Sequence, residues 1–428
     1  MNKVRAGYKM TELGEIPIEW EVKRLEECTN KITDGSHTSP APVEISNYKI
    51  CTVANMKKYK LDLENSTNIS EEDYIRLIKN GCSAERGDVL LSKDGTVGKT
   101  LVYSQSGENI VFLSSIAIIR PQKNILLGEY LNQYLQETRT LERLSNTKTG
   151  SAIKRIVLKD IKNIKIIIPK IQEQEKIASI LSTVDEQIDN VDALIEKNKE
   201  LKKGLMQTLL TKGIGHTKFK RSEIGEIPEE WELESMNKIV TSTQLGTNTL
   251  GKENEKIPML KMGNLTIGGF DFNKLEYISE EELEMNKEYI LSNGDFLFNT
   301  RNTLELVGKS AVWNSQIDKA IFNSNIMRIK YCSKINDFYM GYYFSSDIGW
   351  KQLKSISTGT TSVAAIYTKD LMKIKVIIPS IGEQEKIVSI LLEVDKKIEE
   401  YENKKQKLEE LKKGLMQQLL TGMIRVTV

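Results

Sequence analysis

A stretch written twice limits what this chain can fold into. Residues 160–211 and 370–421 agree at about thirty of about fifty-two positions with one constant offset. A repeat of that length has to be accounted for before any local motif. Each copy opens with a β-branched run, Ile164–Ile168 or Ile374–Ile378, then a proline, Pro169 or Pro379, then a long charged stretch. Apolar residues recur in the first stretch at Ile177, Leu181, Val184, Ile188, Val191 and Ile195. In the second they recur at Ile387, Leu391, Val394, Ile398, Tyr401, Leu408, Leu411 and Leu415. Steps of three and four predict a coiled-coil seam, interrupted at Asn198 and Lys405. Forty helical residues span roughly 60 Å, and two such rods in one chain are most simply buried against each other. The competing reading makes them core helices of one large domain. A duplicated rod after each of two dissimilar globular segments fits a spacer better.

A second echo extends the repeat. Residues 8–22, YKMTELGEIPIEWEV, return as residues 219–233, FKRSEIGEIPEEWEL. The whole chain is thus a tandem duplication with a period of about 210 residues. Gly-Glu-Ile-Pro followed by Glu-Trp predicts an extended strand that pins Trp20 or Trp231 as a packing anchor. The globular parts, 28–158 and 240–368, hardly resemble each other. Both hold short β-branched or aromatic runs bounded by Gly, Asn, Asp and Ser. These are Tyr48–Val53, Asp88–Ser92, Thr100–Tyr103 and Ile110–Ile119, then Met259–Met262, Asp295–Asn299, Ser310–Trp313 and Ile321–Lys330. Helical stretches follow near Gly128–Ser145 and Asp337–Ser355. The fold class is therefore α+β, each globular part a mixed or antiparallel sheet with helices. The segments are a lead-in and globular part at 1–158, a long helix at 159–215, a second lead-in and globular part at 216–368, and a second long helix at 369–428.

Composition narrows the function. Charged residues make up 28% yet the formal net charge is only +2, so no bulk basic field announces nucleic acid. The four cysteines, Cys28, Cys51, Cys82 and Cys332, show no ligand spacing and read as thiols in a reducing cytoplasm. Two distant histidines, His37 and His216, argue against a zinc or histidine-based catalytic centre. No run approaches the apolar length of a membrane span, and MNKVRAGYKM lacks the apolar core of a signal peptide. The expected location is the cytoplasm.

Residues 93–100, KDGTVGKT, imitate a phosphate-binding loop. Lys93 stands where that motif needs its first glycine, and a strand follows where a helix is required. Val307-Gly308-Lys309-Ser310 occupies the equivalent place in the second half, so both read as hairpin tips whose lysine can touch a phosphate. No Pro-Asp dipeptide and no Asn/Asp-Pro-Pro-aromatic motif is present, so neither a nuclease nor an adenine methylase centre is expected. Catalytic and metal-binding residues are expected to be absent.

Candidate nucleic-acid contacts lie in loops. In the first half they are Lys57, Lys58 and Lys60; Lys93, Thr96 and Lys99; and Thr147, Lys148, Ser151, Lys154 and Arg155. In the second they are Lys261 and Asn264; Arg301, Asn302, Thr303 and Lys309; and Thr360, Thr361 and Ser362. Arg and Asn match the edges of guanine and adenine, whereas Lys, Ser and Thr hold phosphates. Each cluster alone could be an ordinary polar loop. Their recurrence at corresponding places in both halves favours the interface.

Three motifs together resemble the specificity subunit of type I restriction–modification enzymes. They are Gly-Glu-Ile-Pro-x-x-Trp (14–20, 225–231), Ile-Pro-x-Ile-x-Glu-Gln-Glu-Lys-Ile (168–177, 378–387) and Leu-Lys-Lys-Gly-Leu-Met-Gln (201–207, 411–417). The variable parts contribute the Gly-Asp-Val-Leu-Leu and Gly-Asp-Phe-Leu-Phe runs (87–91, 294–298). The resemblance implies two target-recognition domains held apart by two long antiparallel coiled-coil helices, as a pseudo-twofold tandem repeat. It implies a non-catalytic subunit that binds double-stranded DNA at an asymmetric bipartite site. The expected partners are two methyltransferase subunits, which bind S-adenosylmethionine, and restriction subunits; no cofactor is expected on this chain. The rods would act as a ruler between half-sites about one helical turn, or 34 Å, apart. Two rival readings remain: the specificity portion of a self-contained restriction–modification enzyme, and a helical scaffold that binds no DNA.

Overall fold

The computed structural model describes residues 4–105, 108–145, 155–253 and 255–427. The chain forms two compact units, Met1–Asp192 with Asn403–Val428, and Ala193–Glu402. Two 39-residue helices, Ile171–Leu209 and Ile381–Leu419, each contribute residues to both units. The unit limits fall inside these helices, where the sequence reading treats each helix as a segment of its own.

In the first unit a lead-in hairpin pairs Tyr8–Thr11 with Gly14–Pro17. It delivers Trp20, fully buried, to the start of the long helix. Glu21–Arg24 then pairs antiparallel with the β-branched run Lys165–Ile168. The domain is built on a four-stranded antiparallel sheet, ordered Thr29–Asp34, Ile116–Pro121, Val89–Ser92, Thr100–Val102. A three-stranded sheet joins Thr67–Ile69, Tyr48–Cys51 and Asn109–Phe112, the last two parallel.

The second unit repeats the plan. Its hairpin is Phe219–Ser222 with Gly225–Pro228, and Glu232–Ser235 pairs with Lys375–Ile378. The main sheet runs Val240–Leu245, Ile326–Tyr331, Phe296–Asn299, Ser310–Val312. The smaller one runs Glu276–Ile278, Ile257–Leu260, Ile321–Phe322. Two dissimilar sequences thus carry one topology. The single runs read at Ile110–Ile119 and Ile321–Lys330 each divide into two strands of different sheets. A turn at Leu113–Ser115 or Asn323–Asn325 makes the break, and periodicity cannot show it because the strand residues flanking each turn are buried on both faces.

The helix seam follows the spacing over most of its length. Ile177, Leu181, Val184, Ile188, Val191 and Ile195 are buried, as are Ile387, Leu391 and Val394; Ile398, Tyr401 and Leu408 are half-buried. Leu411 is a correction, since it is 49% exposed. The helices run antiparallel within each unit. In the first, Asp185 pairs with Lys412 at 2.8 Å and Asp192 with Lys405 at 2.7 Å. In the second, Lys199 pairs with Glu402 at 3.4 Å and Lys202 with Asp395 at 2.5 Å. Lys405 therefore interrupts the apolar seam as an ion-pair partner.

The Glu-Gln pair of the Ile-Pro motif has a mechanical explanation. Glu173 accepts the Trp20 indole N–H at 2.9 Å, and Glu383 accepts that of Trp231 at 2.8 Å. Gln174 bridges the Leu127 N–H and the Ile125 carbonyl, and Gln384 bridges the Asn336 N–H and the Lys334 carbonyl. One side chain grips the lead-in and the next grips the globular domain. The Gly-Asp runs are equally structural. Asp88 holds Arg120 and the Glu85 N–H, while Asp295 holds Arg328, Lys330 and the Ser292 N–H.

Candidate nucleic-acid interface

In the second unit the candidate residues converge on one small surface. Asn299 ends a central strand, and the chain returns to Ser310 through a loop closed by Asn299 N–H to Lys309 O and Gly308 N–H to Asn299 O. Within that loop Arg301–Asn302 pairs with Ala364–Ala365, which pairs in turn with Thr358–Gly359. Arg301, Asn302 and Thr303 are thereby brought beside the hairpin whose exposed tip is Thr360, Thr361 and Ser362. The Leu304 N–H donates to the Thr361 carbonyl at 3.2 Å and ties the two segments together. Thr360 Oγ1 accepts the Val363 N–H at 3.3 Å and shapes the tip.

Arg301 is exposed, and among the described residues neither it nor Lys309 has a carboxylate partner. Lys309 is half-buried, and burial alone pushes its amine pKa down. A half-desolvated cation without a counter-charge is a place where a phosphate oxygen would be welcome.

The sequence reading missed Lys354, in the helix Asp347–Ile356. Its ammonium donates to three carbonyls of the same loop, Leu304 at 2.7 Å, Glu305 at 2.9 Å and Val307 at 3.0 Å. Burial depresses its pKa, and it lies 4.2 Å from the centre of the Trp350 ring. It holds the loop from behind. A lone lysine in an amphipathic helix gives no sign of this in the sequence.

The first unit shares the turn and its tie to the segment before the long helix. Ser92 to Lys99 forms the tight turn, with Ser92 Oγ donating to the Thr96 carbonyl at 2.5 Å and accepting the Lys99 N–H at 2.8 Å. Thr96 and Lys99 are exposed there. The Ile156 N–H donates to the Lys93 carbonyl, and Arg155 pairs with Asp94 at 3.1 Å. The turn and the segment preceding the first long helix are therefore neighbours. Thr147, Lys148, Ser151 and Lys154 lie outside the described residues.

Other candidates are placed differently. Lys93 is a correction: its side chain is 3% exposed and paired with Asp34 at 2.5 Å, so its charge is satisfied inside the domain. Asn264 is another, being buried with its amide donating to the Asp271 and Lys274 carbonyls and its oxygen accepting the Lys261 N–H. Asn55 makes the same bonds in the first unit, to Asp62, Asn65 and Thr52, so this asparagine builds a loop. Lys58 points to Asp189 at 2.5 Å and Asp185 at 3.6 Å on the long helix. Lys57 pairs with Asp62, Lys261 pairs with Glu276, and Lys60 is exposed. The Lys57–Lys60 loop shares no hydrogen bond or ion pair with the hairpin surface among the described residues, while the loop closed by Asn264 touches its edge where the Gly268 N–H donates to the Ser310 carbonyl at 2.9 Å.

Comparison with known proteins agrees with this geometry. The type I restriction modification DNA specificity domain family matches residues 17–201 and again 228–410. The protein named as the MjaX specificity subunit of Methanocaldococcus jannaschii is 30% identical over 98% of this chain and 97% of its own length. The MjaVIII specificity subunit of the same organism is 29% identical over 82% of this chain and 83% of its own. The type I S subunit of M. genitalium has the same fold, with a TM-score of 0.57 at 15% identity over 96% of this chain and 98% of that one. A structure described as concerning complex assembly of a type I system gives 0.56 at 16% identity over 96% and 99%. With the family matched once in each half and a relative aligned nearly end to end, the chain belongs to the specificity subunits of type I restriction–modification systems.

Proposed function

We propose that each unit reads one half of an asymmetric, split duplex site through its hairpin surface. One observation carries this: the same scaffold is built twice, and the side chains it presents differ. Arg301 and Ala365 stand in one unit where Asp94 and Arg155 stand in the other, since the Ile366 N–H bonds to Thr300 as the Ile156 N–H bonds to Lys93. Unlike readers call for unlike half-sites. The test is binding of the full-length chain to randomised duplexes at several ionic strengths. A bipartite motif with a steep salt dependence is expected. Binding that ignores base sequence would defeat the proposal.

Two substitutions separate base contact from phosphate contact. Arg301→Ala should relax one base of one half-site at a cost of roughly 1–3 kcal/mol; an equal loss on every sequence would make it a phosphate contact. Lys309→Met should weaken all sequences alike and lower the salt slope by about 1. An unchanged slope would show that no phosphate reaches it.

The partners we assign are two methyltransferase subunits, each carrying S-adenosylmethionine for adenine methylation, together with restriction subunits. Support comes from the repeated Leu-Lys-Lys-Gly-Leu-Met-Gln motif. Lys202, Lys203 and Met206 line a groove in one unit, as Lys412, Lys413 and Met416 do in the other, and Leu201 and Leu411 are about equally exposed, at 50% and 49%. A duplicated surface suits two copies of one partner. The helices are assigned the role of setting the unread spacer. Four residues added to each would lengthen it by about 6 Å, close to two base pairs. Methylome sequencing should then find the parental half-sites at a wider spacing. New half-site bases would refute this.

A further inference from the structure

A second loop in each unit has a fixed frame and a changeable tip. Each begins at a glycine on the edge strand of the main sheet. A Cβ on Gly35 would lie 2.1 Å from the Phe112 carbonyl oxygen, and one on Gly246 would lie 2.2 Å from that of Phe322. Only glycine allows the strand this close. The next residue bonds to the same carbonyl, Ser36 N–H at 2.7 Å and Thr247 N–H at 3.0 Å. Its own carbonyl accepts the Ser114 N–H at 2.8 Å or the Ser324 N–H at 2.9 Å. Its hydroxyl then accepts the N–H two residues on, Thr38 at 3.2 Å or Thr249 at 3.1 Å. That last bond folds the intervening residue outward. In one unit it is His37, whose side chain is 69% exposed; in the other it is Asn248, also exposed.

The frame is repeated bond for bond while the presented side chain changes from imidazole to carboxamide. Both side chains face outward: no hydrogen bond ties Asn248 to the described residues, and the polar contact of His37 is to Asp34 at 3.4 Å. Both loops adjoin the hairpin surface. Asp34 is also the partner of Lys93, whose carbonyl accepts the Ile156 N–H beside Arg155. In the second unit the 323–325 turn bonds to Thr247 on one side and, through the Asn325 carbonyl, to Thr300 on the other, next to Arg301. Both side chains can donate and accept, and asparagine matches the N6 and N7 edge of adenine.

We propose that His37 and Asn248 are specificity-determining residues, each reading a base in the half-site of its own unit. This rests on the DNA-reading role proposed above. The test is selection of randomised duplexes by full-length Asn248→Ala, Asn248→His, His37→Ala and His37→Asn variants, with thermal melting as the folding control. Each alanine should flatten the preference at one position of one half-site by about tenfold or more and leave the other half-site alone. Each exchange should install a new preferred base at that position. Unchanged preferences in folded variants of a selective parent would overturn the inference and leave the DNA-reading role standing, as would a uniform loss of affinity at constant preference. A parent that selects no motif would remove both.

Discussion

Asp295→Ala is expected to unfold the second unit at a temperature roughly 10 °C lower than the parent, with the first unit unaffected. Its carboxylate is fully buried and holds Arg328 at 3.0 Å, Lys330 and the Ser292 N–H. Arg328 is only 14% exposed, so removing the carboxylate leaves a largely desolvated guanidinium without its counter-ion. Breaking a buried pair from one side costs about 3–5 kcal/mol. A unit of about 200 residues loses about 2–4 °C per kcal/mol. Differential scanning calorimetry should resolve the shift, and Asp88→Ala should produce a smaller loss in the first unit, where Arg120 keeps Glu85 at 2.6 Å. A replacement that leaves both transitions in place would show that Arg328 finds another acceptor.

Glu173→Ala should be the next most damaging change. The residue is fully buried, accepts the Trp20 indole N–H, and pairs with Arg425 at 2.8 Å. Its loss leaves a buried indole N–H without an acceptor, worth about 1–3 kcal/mol, while Arg425 keeps Glu19 at 2.9 Å. Denaturant unfolding followed by tryptophan emission checks this, because Trp20 reports the loosened anchor directly. Glu383→Ala makes the parallel test, since Glu383 accepts from Trp231, the Ile214 N–H and, at 2.9 Å, shares a hydrogen bond with His216 Nε2. Unaltered unfolding of both variants would mean that packing of the indole rings suffices.

What the chain reveals about itself before folding depends on the range of the interaction. The seam from Ile177 to Ile195 follows from helical spacing, a local property, and the glycine-lysine turns are hairpin tips because their flanking strands are local too. Lys93 looked available for a phosphate because nothing near it is acidic in the right place. Its partner, Asp34, lies 59 residues earlier and reaches it only once the sheet has formed. Asn264 failed for a related reason. An asparagine that closes a loop through three backbone bonds has the composition of one that faces a base, and burial alone tells them apart. Leu411 keeps the heptad spacing but turns outward. The reading loops at His37 and Asn248 were hidden because their kinship lies in backbone bonds and not in residue identity.

The tail beyond the second helix bears on heredity. Tyr8 donates to the Gly422 carbonyl at 2.8 Å, and Arg425 closes on Glu19 and Glu173, so the first unit is finished by residues that follow the second long helix. In the second unit His216 does the same office for Glu383 from the connector that follows the first helix. A premature stop in mid-gene would therefore yield a product lacking its own closing strap but owning the other unit's.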